Sequence, residues 1–254
     1  MVDIHCHILS GMDDGAKTPA DSLAMAEMAI ADGITHVVGT PHASSEYAFN
    51  YAAVRRAAND LRTALGERLH VATGCDFHLS PENLQALRLE AEPFCINQKD
   101  YLLVEFNEFS IPPAVDETLY QIQLMRLRPI LTHPERNAII RAQPERLEKW
   151  VRNGCFAQVT GGALLGAFGP GPQETSLAWI GRGLIHFVAS DAHNTSGRPH
   201  KLRAAYEAVR DAFGEETAEA LFVQNPLAAF EGRPLPHVPE IFDEPKKKKR
   251  FLFF

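Results

Sequence analysis

Short apolar segments alternate with helical segments seven times along this chain, and this alternation restricts the possible folds more than any other sequence feature. The predicted strands are VDIHC, ITHVVGT, LHVATGCDF, DYLLVEF, RPILTH, CFAQVT and LIHFVAS. The predicted helices run from Thr18-Pro19 to Gly33 and over about 47–65, 81–91, 112–127, 144–153, 173–183 and 200–230. Because the strands are apolar on both faces, they indicate a parallel sheet covered by helices. We therefore predict an α/β fold in which seven β/α units form a closed or nearly closed barrel.

A single domain accounts for most of the chain. Its 254 residues are 45% hydrophobic, which is enough for one large core. No linker, repeat or change in composition divides the chain before Pro234. The segment that follows is rich in proline and charge. We therefore predict a domain over residues 1–234 and a basic, disordered tail over residues 235–254.

The distribution of charge argues against nucleic acid as a partner. The formal net charge is −7, and all five residues from Lys246 to Arg250 are basic, so residues 1–245 carry 20 basic and 32 acidic groups, or −12. A body with this charge repels a phosphate backbone. The final KKKKRFLFF is too short to span a bilayer, so it is predicted to be solvated, with weak contact with anionic lipid as the alternative.

The cysteines indicate a reducing compartment. Cys6, Cys75, Cys95 and Cys155 are far apart and form no C-x-x-C pair. No apolar export segment precedes Asp3, and no stretch reaches the length of a transmembrane helix. We therefore expect free thiols, no transmembrane segment and a cytoplasmic location.

Polar side chains follow the carboxyl ends of the predicted strands. These residues are His5, His7, His42, Asp76, Glu105, His133, Asp191 and His193, with Asp14 a few residues beyond the first strand. Since the carboxyl ends of barrel strands meet at one rim, the nine side chains are predicted to lie together. His78 shares the strand face of Asp76, and whether it reaches the rim stays open. The remaining histidines are predicted to be surface or core residues: His36, His70, His186, His200 and His237.

The composition of this rim indicates metal binding. Four carboxylates crowded together without cations would repel one another and take up protons. Five imidazoles and four carboxylates are more ligands than one ion uses, and the mixture of nitrogen and oxygen suits zinc, manganese or iron. We therefore predict two or three divalent ions.

Two arginines favour a phosphoester as the substrate. Arg136 and Arg198 each follow a predicted ligand by a few residues, and guanidinium groups match phosphate oxygens. The alternatives are that Arg136 pairs with Glu135 and that Arg198 is solvated. An amidohydrolase with a carbamylated lysine is disfavoured because no lysine ends a strand. A cysteine phosphatase is excluded because no cysteine begins a C-x5-R motif.

Five motifs in this order resemble the PHP superfamily, which is named for polymerase and histidinol phosphatase. They are DIHCHILSGMDDG, GTPH, HPER, QVTGGALLGAFG and SDAHN. The resemblance is closest to the metal-dependent protein tyrosine phosphatases that occur with bacterial capsule and exopolysaccharide genes. It covers the chain from Val2 to Gly232, and the first and last motifs together are highly specific.

The resemblance implies a distorted (β/α)7 barrel, similar to a TIM barrel, with a cluster of manganese, iron, cobalt or zinc ions. The implied ligands are the nine residues at the strand ends, and Arg136 and Arg198 are implied to hold the phosphate. The implied substrate is phosphotyrosine on the bacterial tyrosine kinase that drives polysaccharide synthesis. The expected mechanism is direct attack by a metal-bridging hydroxide, in which His42 or Asp191 assists as a further catalytic residue.

Two positions depart from the family pattern. Asp76 stands where the family typically has glutamate, so ion spacing or metal choice is expected to differ. Glu108 lies in a longer turn and is either an additional rim carboxylate or a solvated residue.

Two other functions stay open: a small-molecule phosphatase of the same superfamily, acting for instance on histidinol phosphate, and a non-catalytic metal-binding module.

Overall fold

The computed structural model describes residues 1–107 and 109–242, and within these ranges nine strand segments form seven strands. The segments are β1 (Val2–Cys6), β2 (His36–Gly39), β3 (His42–Ala43), β4 (His70–Thr73), β5 (Asp76–His78), β6 (Tyr101–Glu105), β7 (Arg128–Thr132), β8 (Phe156–Thr160) and β9 (Phe187–Ala189). The second predicted strand breaks at Thr40-Pro41 and the third at Gly74-Cys75. Pro41 lacks the N–H that a continuous ladder requires. The prediction of seven strands is confirmed, although two of them are interrupted.

All strand pairs are parallel, and together they form a ring. The first sheet has the order β1-β2-β4, and the second has the order β3-β5-β6-β7-β8-β9. The ring closes between the first strand, β1, and the last strand, β9. There, Asp191 N donates to His5 O at 2.9 Å and His7 N donates to Ala192 O at 2.8 Å. Cys6 and Ala192 form a parallel bridge at the same place. The chain is therefore a distorted barrel in a single α/β domain, as predicted.

Helices follow most of the strands and cover the outside of the ring. They are α1 (Pro19–Ala31), α2 (Tyr51–Leu65), α3 (Pro81–Leu89), α4 (Val115–Leu124), α5 (Ala138–Ala142), α6 (Pro144–Arg152), α7 (Gly161–Leu164), α8 (Pro170–Gly181), α9 (Leu202–Phe213), α10 (Glu215–Glu219) and α11 (Asn225–Glu231). The start of α1 follows the sequence rule well. Thr18 caps the helix, and its hydroxyl and the Asp21 carboxylate bond reciprocally with the backbone.

The helix predictions are correct in position but inaccurate at their ends. Helix α2 begins at Tyr51 instead of about residue 47, because Asn50 supplies the cap by accepting from Ala53 N at 3.1 Å. The short helices α5 and α7 were not predicted. The predicted helices over 200–230 are interrupted at Gly214, which has a φ of 93°.

The inner face of the ring changes character along each strand. On β6, Tyr101 and Leu103 face the same side as Glu105, since alternate residues of a strand share a face. Tyr101 and Leu103 are fully buried and belong to an apolar cluster with Ile130 and Phe187. The inside of the ring is therefore apolar near the amino ends of the strands and polar at their carboxyl ends, where the predicted site lies.

Residues 235–242, the last that the structure describes, pack against the domain without forming a helix or strand. His237 N donates to Asn225 Oδ1 at 3.1 Å, and Phe242 N donates to Arg182 O at 3.0 Å. The predicted boundary at residue 234 stays a prediction, and the predictions for Glu108 and KKKKRFLFF fall on residues outside those described. None of the described helices has the length and apolar character needed to cross a membrane.

Candidate metal centre

His5 and His7 enter the site from the end of β1, and each has a partner that orients its ring. His5 Nδ1 lies 2.8 Å from Gln158 Oε1, and His7 Nδ1 lies 2.6 Å from Asp13 Oδ2. These contacts leave the Nε2 atoms facing the interior of the site. A partner on the other ring nitrogen is the usual arrangement for a histidine that binds metal.

The sequence predictions missed both orienting partners. Gln158 is a fully buried polar residue on an otherwise apolar strand, and that contrast is a usable sequence signal. Asp13 precedes Asp14 in the sequence Asp-Asp-Gly, and only Asp14 was predicted to reach the site. The two adjacent carboxylates after the strand that carries His5 are the sequence signal for a second acidic residue. Asp13 also accepts from the backbone N–H groups of Gly15 at 2.9 Å, through Oδ1, and of His42 at 3.1 Å, through Oδ2.

The first group of ligand atoms comes from His7, Asp14, His42 and His193. One donor atom from each side chain lies within 4.8 Å of the others. Asp14 Oδ1 lies 3.5 Å from His42 Nε2 and 3.4 Å from His193 Nε2. Asp14 therefore folds back from the loop after β1 to the rim, as predicted.

The second group surrounds Asp76. Its Oδ2 atom lies 3.4 Å from both His5 Nε2 and His42 Nδ1, and 4.0 Å from His133 Nε2. Glu105 extends the group, with Oε1 at 3.5 Å from His133 Nε2 and Oε2 at 3.2 Å from His42 Nδ1. His42 thus faces the first group with one ring nitrogen and the second group with the other.

Asp191 joins the ligands to the two arginines. Its Oδ1 atom lies 3.5 Å from His5 Nε2 and 3.3 Å from His7 Nε2. Its Oδ2 atom accepts from Arg136 Nη1 at 2.7 Å and from Arg198 Nη2. Both arginines therefore reach the edge of the cluster, which favours the predicted role over a solvated Arg198. Glu135 accepts from Thr160 N at 2.8 Å.

The structure brings all nine predicted ligands together, and it adds a tenth side chain. His78 Nε2 contacts Glu105 Oε2, and the pair forms a further group of possible ligands with His42. His78, whose position the sequence did not decide, therefore reaches the rim.

The five histidines that were predicted to lie outside the site do so. His36 and His70 stack on each other with ring centroids 4.5 Å apart, and His200 Nδ1 lies 3.0 Å from Asp3 Oδ2.

Two ligands occupy strained backbone positions. His133 has a φ of 32° and Asp191 a φ of 52°, both in the left-handed region that disfavours non-glycine residues. Such a conformation costs about 1–3 kcal/mol and is concentrated at functional sites. Both residues follow the ends of their strands, β7 and β9, within two residues, and their side chains face the cluster.

The donor spacing fits bound cations. Two atoms that each lie about 2.1 Å from one ion are about 3.0–3.5 Å apart, and most of the nitrogen–oxygen separations above fall at 3.2–3.5 Å. Asp76 Oδ2 and His193 Nε2 are buried and have no hydrogen-bond partner among the described residues. Buried polar atoms without partners are costly. Divalent ions that accept nitrogen and oxygen ligands would satisfy them.

The charges of the site favour cations as well. Burial lowers the pKa of His5, but Asp76 and Asp191 outweigh it and raise that pKa to about 9. Burial raises the pKa of Asp191, but His5, the hydrogen bond with His7 and Arg198 hold it well below its usual range. The cluster therefore retains ionised carboxylates and attracts positive charge, which a metal ion supplies in place of protons.

His133 differs from His5 in its surroundings. Burial and the nearby Arg136 guanidinium lower its pKa to about 4. The imidazole is therefore neutral at pH 7, which is the form that binds a metal ion.

Comparison with known proteins agrees with this geometry. The profile of the family described as capsular polysaccharide synthesis, CpsB/CapC, matches residues 1–231. The chain is 39% identical over 220 residues to the tyrosine-protein phosphatase YwqE of Bacillus subtilis, covering 85% of this chain and 86% of that protein.

Solved structures give the same result. One chain from crystal structures of YwqE from Bacillus subtilis and CpsB from Streptococcus pneumoniae, described as unique metal-dependent tyrosine phosphatases, superposes with a TM-score of 0.88. It is 35% identical and covers 96% of this chain and 100% of its own length. Histidinol phosphate phosphatase from Lactococcus lactis, at 13% identity, a TM-score of 0.59 and coverage of 87% and 94%, shares the fold. The resemblance inferred from the motifs is confirmed: this chain belongs to the CpsB/CapC family of capsular polysaccharide synthesis proteins.

Proposed function

We propose that this protein is a metal-dependent protein tyrosine phosphatase that hydrolyses phosphotyrosine on a protein of capsular or exopolysaccharide synthesis. The observation that carries the proposal is the position of Asp191. One of its oxygens faces the ligand histidines and the other accepts from Arg136 and Arg198. Groups suited to bind phosphate thus adjoin a cluster suited to bind cations, which is the arrangement that metal-dependent phosphoester hydrolysis uses. The names of the matched relatives support the same activity.

The nine side chains at the rim are the proposed ligands of two or three divalent ions, drawn from manganese, iron, cobalt and zinc. The ligands are His5, His7, Asp14, His42, Asp76, Glu105, His133, Asp191 and His193. Such ions would lower the pKa of bound water well below its value in bulk water and would stabilise charge on phosphoryl oxygens. Mixed imidazole and carboxylate ligands suit all four metals.

The arginines position the phosphate in this proposal. Arg136 Nη1 and Arg198 Nη2 meet at one carboxylate oxygen, so their guanidinium groups are already oriented toward the edge of the cluster. Preorganised donors of this kind stabilise charge that develops on the phosphoryl oxygens. The phenolate of tyrosine, with a pKa near 10, leaves without a strong general acid.

His42 and Asp191 are the proposed additional catalytic residues. His42 faces Asp14 with one ring nitrogen, and Asp76 and Glu105 with the other. Burial lowers the pKa of His42, but Asp14 and Glu105 outweigh it and raise that pKa to about 11. Asp191 connects the ligands and arginines. Asp191 therefore lies where the groups proposed to bind phosphate and metal meet, and His42 lies between the two groups of proposed ligands.

The proposed substrate is a bacterial tyrosine kinase of the same polysaccharide system, in the cytoplasm. The proposed catalytic domain spans residues 1–234, and residues 235–254 form a basic tail that makes at most weak contact with membranes. An excess of 12 negative charges over residues 1–245 disfavours nucleic acid as a partner.

Metal depletion and reconstitution test the activity. The purified protein is treated with a chelator, reloaded separately with each of the four metals, and assayed on a phosphotyrosine peptide and on histidinol phosphate. We expect chelation to abolish turnover and at least one metal to restore it, with preference for the peptide. Equal activity before and after chelation would contradict the proposal, while preference for histidinol phosphate would identify the small-molecule alternative. A protein that binds metal but hydrolyses neither ester would be a binding module.

Substitution of Arg198 tests the phosphate-binding role. Arg198→Ala is expected to reduce kcat/KM on the peptide by about 100-fold, since removal of one preorganised donor typically costs a factor of about 100 to 1,000. Metal content should stay unchanged because Arg198 is not a proposed ligand. Arg210→Ala is the matched control, since Arg210 lies on the exposed face of α9 and pairs with Asp211.

A further inference from the structure

A cavity of about 220 Å³ opens beside the arginine end of the metal centre. It lies between the loop after α7 and the loop after β9. Among the residues that line it are Leu165, Ala167, Phe168, Ser190, Arg198 and Pro199. Ser190 directly precedes Asp191, and Arg198 binds the Asp191 carboxylate. The cavity is therefore continuous with the proposed phosphate position.

Phe168 has a defined place in the wall of this cavity. The Arg136 Cζ atom lies 4.9 Å from the centroid of the Phe168 ring, within the range of a cation–π contact. A Cβ atom at Gly162 would lie 3.2 Å from Phe168 Cε2, so the ring packs directly on the glycine backbone. The aromatic ring is thus fixed beside one of the two arginines.

The wall of the cavity is mixed: Ser190, Ser196, Arg198 and Lys201 are polar, and the other side chains that line it are apolar. Leu165 is 41% exposed and presents its side chain at this wall. Ala167, Phe168 and Pro199 continue the apolar surface. A ligand that fits has an apolar body attached to an anion, because Arg198 and Lys201 supply positive charge to a wall that is otherwise largely apolar.

We infer that this cavity binds the phenyl ring of the phosphotyrosyl side chain and thereby selects aryl phosphates over alkyl phosphates. An apolar protein cavity of about 150 Å³ binds benzene, so the volume here accommodates a phenyl ring. The inference rests on the proposed function and extends it to the basis of substrate choice. Phosphoserine and other alkyl phosphates would leave the apolar wall without a partner.

Filling the cavity tests the inference without removing a residue that contacts Arg136. In Ala167→Phe, the added ring occupies space that the substrate ring requires. We expect kcat/KM for phenyl phosphate to fall about tenfold more than kcat/KM for ethyl phosphate, which is the range for discrimination by apolar pockets. Each variant is compared with the wild type on the same ester, so the different reactivities of the two leaving groups cancel. Ala64→Phe is the matched control, since Ala64 is exposed in the last turn of α2.

Binding of non-hydrolysable phosphonates provides a readout independent of turnover. Phenylphosphonate should bind the metal-loaded wild type more tightly than methylphosphonate does, and Ala167→Phe should weaken only phenylphosphonate. Leu165→Ser removes apolar surface instead of adding bulk, so it should also reduce the preference for phenylphosphonate over methylphosphonate. This second variant provides the test if Ala167→Phe does not fold.

The outcomes separate the two proposals. If the metal-loaded wild type hydrolyses phosphate esters but both variants affect aryl and alkyl ligands equally, the aryl cavity is wrong and the proposed function stands. If no ester is hydrolysed, the proposed function fails, and the preference for phenylphosphonate still decides whether the cavity binds a phenyl ring.

Discussion

Two buried histidines at opposite ends of the ring have opposite acid–base properties. His5, at the carboxyl end of β1, is fully buried, and His186, just before β9, is 2% exposed. Burial lowers the pKa of both, but Asp76 and Asp191 raise that of His5 to about 9, whereas burial and His237 lower that of His186 to about 3. His186 Nδ1 lies 3.3 Å from Ala157 N, so the neutral ring accepts a backbone hydrogen bond. The charged groups next to a buried imidazole, and not its burial alone, therefore decide whether it carries charge.

The same contrast separates function from stability along single strands. On β6, Leu103 contributes to the apolar layer, and Glu105, two residues later on the same face, contributes to the metal centre. The inner face of the ring concentrates charges suited to cations at one end and is apolar, supplying packing, at the other. Substitutions at the two ends should therefore change different measured quantities.

The largest expected effect is on activity at the carboxyl end. Asp191→Asn removes the charge that faces two ligand histidines and both arginines, so we expect kcat/KM on a phosphotyrosine peptide to fall at least about 1,000-fold. Metal content, measured on the same sample, should also fall. Asp211→Asn, on the exposed surface of α9, should change neither quantity. Substantial activity in Asp191→Asn would remove this residue from the proposed site.

At the other end of the ring, the expected effect is on stability. Leu103→Ala creates a cavity in the apolar layer and should lower the free energy of unfolding by about 2–5 kcal/mol. Urea denaturation in the presence of chelator measures this change, and the fraction that remains folded should keep its metal content and turnover. Leu89→Ala is the control, because Leu89 is 81% exposed. A large loss of metal in Leu103→Ala without loss of stability would contradict the view that the amino end of the ring contributes to stability and the carboxyl end to metal binding.

This separation also explains how much of the site could be predicted. Strand termini and residue parity indicate which side chains face the rim, so His5, His7 and Asp191 could be identified without coordinates. The orienting contacts were not predictable in this way. Gln158 and Asp13 act through hydrogen bonds between segments distant in sequence or within an irregular loop.

Backbone details were less accessible to sequence reasoning. The break in the second strand could be expected from Pro41, whereas the positive φ values at His133 and Asp191 follow from no local sequence rule. Such features depend on tertiary packing, which overrides local propensity. The cavity beside Phe168 likewise forms between the loop after α7 and the loop after β9, which are distant in sequence.

A smaller effect is expected from the titration of His186. Its folded pKa of about 3 lies below the ordinary value of about 6.5, so the unfolded chain binds the additional proton between these values. Stability should therefore be greatest above pH 6.5 and decrease by about 1.4 kcal/mol for each pH unit below it, or by about 2–3 kcal/mol between pH 6.5 and 4.5. His186→Gln should make unfolding free energy less dependent on pH between 6.5 and 4.5, with both proteins measured in chelator. An unchanged slope would show that His186 is not neutral in the folded protein.

The smallest expected effect is that of thiol alkylation, although Cys6 lies between two proposed ligands. All four cysteines are buried, and Cys6 Sγ donates to Val38 O at 3.3 Å, on the opposite face of β1 from the metal centre. Burial raises the pKa of every thiol, to about 12 for Cys95 and Cys155. The reactive thiolate is therefore scarce, and iodoacetamide should leave the activity of the native protein within about twofold of the untreated sample. Mass spectrometry should detect four modified thiols only after denaturation, and loss of activity in proportion to labelling of the native protein would instead indicate that a cysteine takes part in the reaction.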